Sequence, residues 1–251
     1  MTIKHLSKLC FLLLIFSCES SHISKIEGKR LTIDENIRAQ SDIENFIKPY
    51  REHINKTLDS VISYAPETYS KSDGDFNTAI GNLFADAVFT ESNPIFKKRT
   101  GNTIDLVLLN HGGIRSIISK GNITSRTAYE IMPFENSVVV VALKGSQINE
   151  MFIYLSKAKR AHPLSRQVQL TLDKDFNISS ATVHGKPVND SQIYYVATND
   201  YLYNGGDGMT FFQPNDGLVV LDYKIRNILI DNFKKTDTLN PKRDNRFIKL
   251  N

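Results

Sequence analysis

Residues 104–115 read IDLVLLNHGGIR, a run of apolar residues followed directly by polar side chains and two adjacent glycines. Such a dense aliphatic run predicts a strand that is covered on both faces. Glycines at the end of a buried strand let a ligand approach backbone N–H groups closely, and the guanidinium of Arg115 offers a planar set of donors. The stretch therefore indicates either a ligand-binding loop or a tight turn with a surface arginine.

Two further loops combine polar, aromatic and glycine residues in a similar way. Residues 133–136 (PFEN) precede a second apolar run, so Phe134 either fills the core or offers its face to a flat ligand. Residues 199–208 (NDYLYNGGDG) follow a predicted strand and place Asp207 among three glycines, downstream of Tyr201. A glycine-rich connection explains that pattern as well. Each loop by itself leaves a structural and a ligand-binding role open.

The remaining pattern predicts an α+β fold, a single domain with a mixed β-sheet and packed helices. Apolar residues at helical spacing predict helices over residues 41–64, with a kink or break at Pro49, and over 78–90, 146–157 and 223–234. Ser146 is the predicted N-cap of the third helix. Strands are predicted over residues 29–33, 104–109, 137–143, 167–172, 181–183, 192–198 and 247–250.

The first 17 residues have the pattern of a bacterial lipoprotein signal peptide. Basic residues precede an apolar run at 9–16, which is shorter than the roughly 20 residues that cross a bilayer. We expect Cys18 to carry lipid, residues 18–28 to form a tether, and residues 29–251 to form the domain. The alternative is a secretory peptide that is cleaved without lipidation. The expected location is therefore outside the cytoplasm, with a lipid anchor to the bacterial cell envelope.

Composition excludes several classes of function. Cys10 lies inside the predicted signal peptide and Cys18 is the predicted lipid carrier, so the mature domain keeps no thiol for a disulfide, a metal or a nucleophile. Removing residues 1–17 takes away two lysines and no acid, so the formal net charge falls from +4 to +2. The sequence has no run of five basic residues and no basic helix face, so nucleic-acid binding has no support.

Taken together and in this order, the three loops resemble the C-terminal domain of the 5'-nucleotidase and UDP-sugar hydrolase family. An early helix carries Gly81-Asn82-Leu83 and Ala85-Asp86-Ala87, and the motifs NHGGIR, PFEN with Gly145 after the next strand, and NDYLYNGGDG follow it. Residues 29–50 look like the segment through which that domain is entered. The resemblance covers nearly the whole mature chain, and it implies the fold of that C-terminal domain.

The resemblance implies a role for each loop. In that family the domain supplies the nucleotide-recognition pocket, and the base lies between two aromatic rings, which correspond here to Phe134 and Tyr201. Stacking of this kind contributes roughly 1–3 kcal/mol per base and tolerates different bases. The resemblance implies that Asn110 contacts the base edge and that Gly112 and Gly113 let backbone approach the ligand. It also implies that Arg115 faces the ribose and phosphate, and that Asp207 accepts hydrogen bonds from the ribose hydroxyls.

The chain departs from the family pattern at three places. Phe76 and Asn77 stand where the family usually has an arginine and a glutamate, just before the Gly-Asn helix. The resemblance therefore implies that one cationic contact on the ribose-phosphate side is lost, which weakens nucleotide binding more than nucleoside binding. Tyr201 is a mild change from the family's aromatic residue, and His111 replaces what is commonly a small residue.

Members of the family hydrolyse phosphoesters with two metal ions held in a separate N-terminal domain. Paired metals need clusters of His, Asp and Asn ligands, and the five histidines of the mature chain form no Asp-x-His or His-x-His pattern. We therefore expect no catalytic residue, no metal ligand and no cofactor in this chain. Divalent metals are expected only in a partner metallophosphatase.

These expectations define three functions. The first is the nucleotide-recognition half of a split 5'-nucleotidase-type hydrolase for nucleotide catabolism, which is inactive by itself and acts with a separate metallophosphatase chain. The second is a stand-alone lipoprotein that binds nucleosides or nucleotides without catalysis. The third is a decayed family member kept as an interaction module without a ligand.

Overall fold

A computed structural model describes residues 25–34, 37–38 and 40–250. The predicted signal peptide, Cys18 and most of the predicted tether lie outside the described residues. The strand predicted over residues 29–33 is wrong, because this stretch is exposed and takes part in none of the described strand pairings, which would supply the hydrogen bonds that a strand needs. The chain divides into two units between Lys48 and Pro49, and every described strand belongs to the second unit.

The first helix, α1 (Ser41–Leu58), is continuous through Pro49. The sequence predicted helix as far as residue 64, and this is wrong, because Val61–Ala65 form a strand, β1. β1 pairs in antiparallel register with β3 (Gly121–Thr124). Exposed and buried side chains alternate towards the end of β1, where Ser63 and Ala65 are buried and Tyr64 between them is exposed, so the period is that of a strand.

The central sheet is mixed, as the sequence predicted. Its strands lie in the order β2, β8, β4, β9, and β2 is parallel to β8 whereas the other two pairings are antiparallel. The four strands are β2 (Leu106–Val107), β4 (Ser137–Lys144), β8 (Ile193–Asn199) and β9 (Gly217–Lys224).

Helices cover both faces of this sheet, which explains why β4 is apolar at nearly every position. On one face Val138 and Val140 join a core with α2 (Ala79–Thr100), α3 (Ser125–Ile131) and α6 (Ile225–Lys234). On the other face alternate residues of β4 join a second core with α4 (Gly145–Ala158). The predicted N-cap Ser146 is wrong by two residues, because Lys144 is the N-cap residue and its N–H donates to the side chain of Gln147.

A second four-stranded sheet is added beside the second core. Its strands lie in the order β10, β5, β6, β7, and β10 is parallel to β5. Their bounds are β5 (Val168–Leu172), β6 (Ile178–Val183), β7 (Lys186–Pro187) and β10 (Phe247–Lys249). The strands are thus distributed over three sheets, and the α+β architecture is the one expected from the sequence. No helix in the described part of the chain combines the length and the apolar character needed to cross a membrane.

Strand direction brings the three predicted loops together. Residues 110–115 follow β2 and residues 200–208 follow β8, and the two strands are parallel, so both loops leave the same edge of the sheet. The segment 133–136 enters β4, whose first residues pair with the last residues of β8, as in the pair Val138 and Asn199. All three loops therefore meet at one edge.

Candidate functional site

The three loops enclose one cavity of about 430 Å³, which is within the range of roughly 300–1,000 Å³ for small-molecule sites. Six of the seven residues that the sequence predicted for binding line it, and Asn136, which was not among the predicted binding residues, joins them. The lining residues are Asn110, Gly112, Arg115, Phe134, Asn136, Tyr201 and Asp207. The seventh predicted residue, Gly113, is buried and does not line the cavity.

The loop after β2 is shaped around the side chain of Asn110. His111–Gly113 form one turn of 3-10 helix, and the N–H of Gly113 donates to the carbonyl of Asn110 at 3.0 Å. A Cβ atom on Gly113 would lie 3.0 Å from Oδ1 of Asn110. That oxygen accepts from Nδ2 of Asn199 at 3.1 Å, at the end of β8. Gly113 therefore makes room for the Asn110 carboxamide, whose orientation is fixed by the neighbouring strand.

One side of the cavity, here called the Phe134 wall, is held by charged groups. The ring of Phe134 is 39% exposed, so it forms part of the wall and does not fill the core. Its carbonyl accepts from Arg226 at 3.4 Å. Glu135 pairs with both Arg226 and Lys224, and hydrogen bonds from Lys224 and Arg226 lower the pKa of Glu135 to about 2.

Arg226 is the buried centre of this wall. Its side chain comes from the start of α6, is only 7% exposed, and lies 4.1 Å from the ring centroid of Tyr129. On the cavity side, the guanidinium carbon of Arg115 lies 5.7 Å from the ring centroid of Phe134. Both contacts place a cation over an aromatic face, an attractive arrangement. Phe134 is therefore fixed through its backbone while its ring stays accessible.

A second side of the cavity, here called the Tyr201 wall, is held by hydrogen bonds and by packing against glycine backbone. The helical turn α5 (Asp200–Tyr203) is capped by Asn199, whose side chain accepts from the N–H of Leu202 at 2.8 Å. The ring of Tyr201 lies against Gly206, since a Cβ atom there would be 2.5 Å from the ring. No other residue fits this contact without moving the ring.

Asp207 is attached to this wall by two tyrosine hydroxyls. Its backbone is left-handed, with φ of 54°. The hydroxyl of Tyr201 donates to Oδ1 of Asp207 at 2.9 Å, and that of Tyr154 donates to the carbonyl of Asp207 at 2.8 Å. The two walls are joined by Asn136, which donates to Oδ1 of Asp200 at 3.0 Å.

Two histidines lie behind the loop after β2. The N–H of His111 donates to Nδ1 of His162 at 3.3 Å, and the edge of the Tyr154 ring packs against His162 with centroids 5.9 Å apart. Burial lowers the pKa of His162 to about 4 and also lowers the pKa of His111. Both imidazoles are thus neutral at pH 7. Among the described residues, no group of three or more His, Cys, Asp or Glu side chains is arranged to hold a metal ion.

Phe76 and Asn77 lie outside the cavity lining. The ring of Phe76 packs against the second core, 5.1 Å from Phe247 and 6.3 Å from Phe176 between centroids. Asn77 donates to the carbonyls of Asp244 and Phe247. These two residues fasten the last strand, and the loss of a cationic contact at this position stays a prediction.

A larger cavity, about 510 Å³, lies beside α2 and contains none of the predicted binding residues. Its buried cation, Arg246, already pairs with Asp86 and Asp244 and donates to the carbonyl of Leu164. This cluster ties α2 to the end of the chain. Its charged groups satisfy each other, so we assign it a structural role.

The chain is similar to known proteins over most of its length. The chain is 29% identical over 198 residues to the cell wall protein Lmo0130 of Listeria monocytogenes, which covers 73% of this chain and 24% of that protein. It is 24% identical over 235 residues to an apyrase of Tabanus yao, covering 85% of this chain and 42% of the relative. The chain therefore spans less than half the length of these relatives.

A solved structure shows the same fold. The 5'-nucleotidase precursor from Thermus thermophilus superposes with a TM-score of 0.69 at 23% identity, over 83% of this chain and 43% of that one. The family described as 5'-nucleotidase, C-terminal domain, matches residues 58–214, which is more than half of the chain. That match includes all three loops of the cavity, and the chain belongs to the 5'-nucleotidase C-terminal domain family.

Proposed function

We propose that the cavity binds a nucleoside or nucleotide, with the base between the rings of Phe134 and Tyr201. The observation that carries this proposal is that two half-exposed aromatic rings, one cation and one carboxylate line the same cavity. In this arrangement Arg115 faces the ribose and phosphate, and Asp207 accepts from the sugar hydroxyls. Asn110 contacts the base edge. That the two rings lie parallel across the gap stays a prediction.

We further propose that the chain is the recognition half of a split 5'-nucleotidase. A separate exported metallophosphatase would supply the divalent metals and carry out hydrolysis, and the chain alone would be inactive. One finding supports this proposal, namely that the similarity is to the C-terminal domain of the family. A lipid on Cys18 would hold the chain at the cell envelope.

Hydrolysis of AMP by a candidate metallophosphatase chain, with and without this protein, tests the split enzyme. We expect AMP cleavage to rise when the two chains are mixed, and to fall again when Phe134→Ala and Tyr201→Ala are combined in this protein. A Tyr203→Phe variant serves as a control, because Tyr203 does not line the cavity. If the mixture cleaves AMP no faster than the metallophosphatase alone, the split-enzyme proposal is rejected.

A second candidate is capture of nucleosides without catalysis. It is favoured by the charge of the cavity lining. Among the described residues that line this cavity, Arg115 is the single cation, and the carboxylate of Asp207 balances its charge. Such a lining has little excess positive charge for a phosphate. Calorimetry with adenosine and AMP separates the two candidates, because a capture protein should bind adenosine at least as tightly as AMP.

A further inference from the structure

We propose that the hydroxyl of Tyr201 positions Asp207 for reading the sugar, so that Tyr201 determines selectivity for ligands with ribose hydroxyls. This inference rests on the proposed nucleoside-binding function. It assigns to one residue two tasks that act on different parts of the ligand. The ring contacts the base, and the hydroxyl acts on the sugar through Asp207.

The contact between the two residues is reciprocal. The hydroxyl of Tyr201 donates to Oδ1 of Asp207 at 2.9 Å, while the N–H of Asp207 donates to the same hydroxyl oxygen at 3.3 Å. Hydrogen bonds to a carboxylate are shorter and stronger than those between neutral groups. The phenol itself cannot turn easily, because its ring is packed against Gly206. A fixed donor therefore faces the Asp207 side chain.

Asp207 needs such a donor because little else restrains its carboxylate. The residue is exposed, lies between Gly206 and Gly208, and has a left-handed backbone. Tyr154 holds only its carbonyl oxygen. In the part of the chain that the structure describes, Tyr201 is the side chain that bonds the carboxylate. With Oδ1 held in this way, Oδ2 is the oxygen left to accept from a sugar hydroxyl.

The ring and the carboxylate consequently form one unit. A ligand that pushes the Tyr201 ring aside also moves Oδ1 of Asp207, and a phenylalanine at this position would keep the stacking surface while releasing the carboxylate. A mobile Asp207 carboxylate would lose side-chain entropy when it binds a sugar hydroxyl, and this loss would weaken binding of the sugar. Base stacking would be unaffected.

The test compares adenosine with 2',3'-dideoxyadenosine, which lacks the 2' and 3' hydroxyls and keeps the 5' hydroxyl, by calorimetry on the whole protein. We expect Tyr201→Phe to weaken adenosine binding about fivefold, the effect of one hydrogen bond, and to change dideoxyadenosine binding less than about twofold. In an Asp207→Asn background, Tyr201→Phe should have no further effect on adenosine. Tyr203→Phe is the matched control, because its hydroxyl contacts Asn215 and not Asp207.

The outcomes distinguish the nucleoside site from the positioning role of Tyr201. If the unmodified protein binds neither ligand, the proposed function fails and this inference fails with it. If it binds both, but Tyr201→Phe weakens both equally or neither, the nucleoside site stands and the positioning role is rejected. Circular dichroism melting of each variant confirms that the compared proteins are folded.

Discussion

The two walls of the cavity hold similar aromatic rings by different physical means. The Phe134 wall relies on charges, with Glu135 paired to Lys224 and Arg226. The Tyr201 wall relies on hydrogen bonds from tyrosine hydroxyls, the glycine backbone at Gly206 and a buried imidazole behind Tyr154. Ion pairs at the surface weaken with salt and with protonation of the acid, whereas close packing against glycine responds to neither. The comparison predicts that the two walls fail under different conditions.

The largest expected effect concerns the imidazole behind the Tyr201 wall. The pKa of His162 in the folded protein, about 4, lies below the ordinary value of 6.5 because of burial. Between these values the unfolded chain binds a proton that the folded chain does not, so stability falls as pH drops from about 6.5 to about 4. The full loss is roughly 3 kcal/mol at about 1.4 kcal/mol per pH unit.

A His162→Asn variant, which keeps an acceptor for the N–H of His111, should lose this part of the pH dependence. Urea unfolding of both proteins from pH 7 to pH 4 measures it. His162 is not the source of this pH dependence if the free energies of unfolding of the unmodified protein and of the variant fall in parallel across that range.

A smaller effect is expected for the backbone contact of the Tyr201 wall. Gly206→Ala places a Cβ atom where the ring of Tyr201 now lies, so the ring must move and the stack is lost. We expect adenosine binding to weaken about tenfold, within the roughly 1–3 kcal/mol that such a stack contributes. Calorimetry in a Tyr201→Ala background provides the control, where Gly206→Ala should cost nothing further. An additional loss there would mean that Gly206 acts through something other than the ring.

The smallest effect is expected for the acid of the Phe134 wall. The pKa of Glu135 is lowered from 4.5 to about 2, first by Lys224 and then by Arg226. Its stabilising contribution is therefore complete above about pH 4.5 and is lost as pH falls through about 2. Glu135→Gln should lower the melting temperature slightly at pH 6, and by progressively less below pH 4.5. Added salt should also reduce this difference in melting temperature between the unmodified protein and the variant. A difference that grows on acidification would contradict the stabilising role of the Glu135 carboxylate.

The sequence predicted which loops line the cavity better than it predicted the boundaries of the elements. The apolar runs before Asn110 and after Asn136 mark strands of the central sheet, and their directions bring the loops together. β1 was predicted as helix because Val61 and Ile62 fit both the helical and the strand spacing of apolar residues when their partner strand is not known. β9 was not predicted at all; its residues are half exposed, and Asp222 interrupts its backbone with a φ of 54°.

Two residues show what a linear sequence leaves out. Asn136 was visible inside PFEN, but its contact with Asp200 depends on the antiparallel pairing of two strands, which the sequence does not specify. Phe76 was compared with a family arginine, and its true neighbours, Phe176 and Phe247, come from distant parts of the chain. The sequence motifs indicated the loops that line the cavity. The contacts that hold those loops in place could be seen only in the folded structure.

The position of β10 late in the sequence has a consequence for synthesis. Phe247 is fully buried, and Arg246 is the buried partner of Asp86, which lies on a helix made 160 residues earlier. During translation that helix therefore waits for its guanidinium, and β5 lacks its parallel neighbour until β10 has emerged. A stop codon just before Arg246 would remove both residues, leaving Asp86 without its buried partner and a gap in the second core.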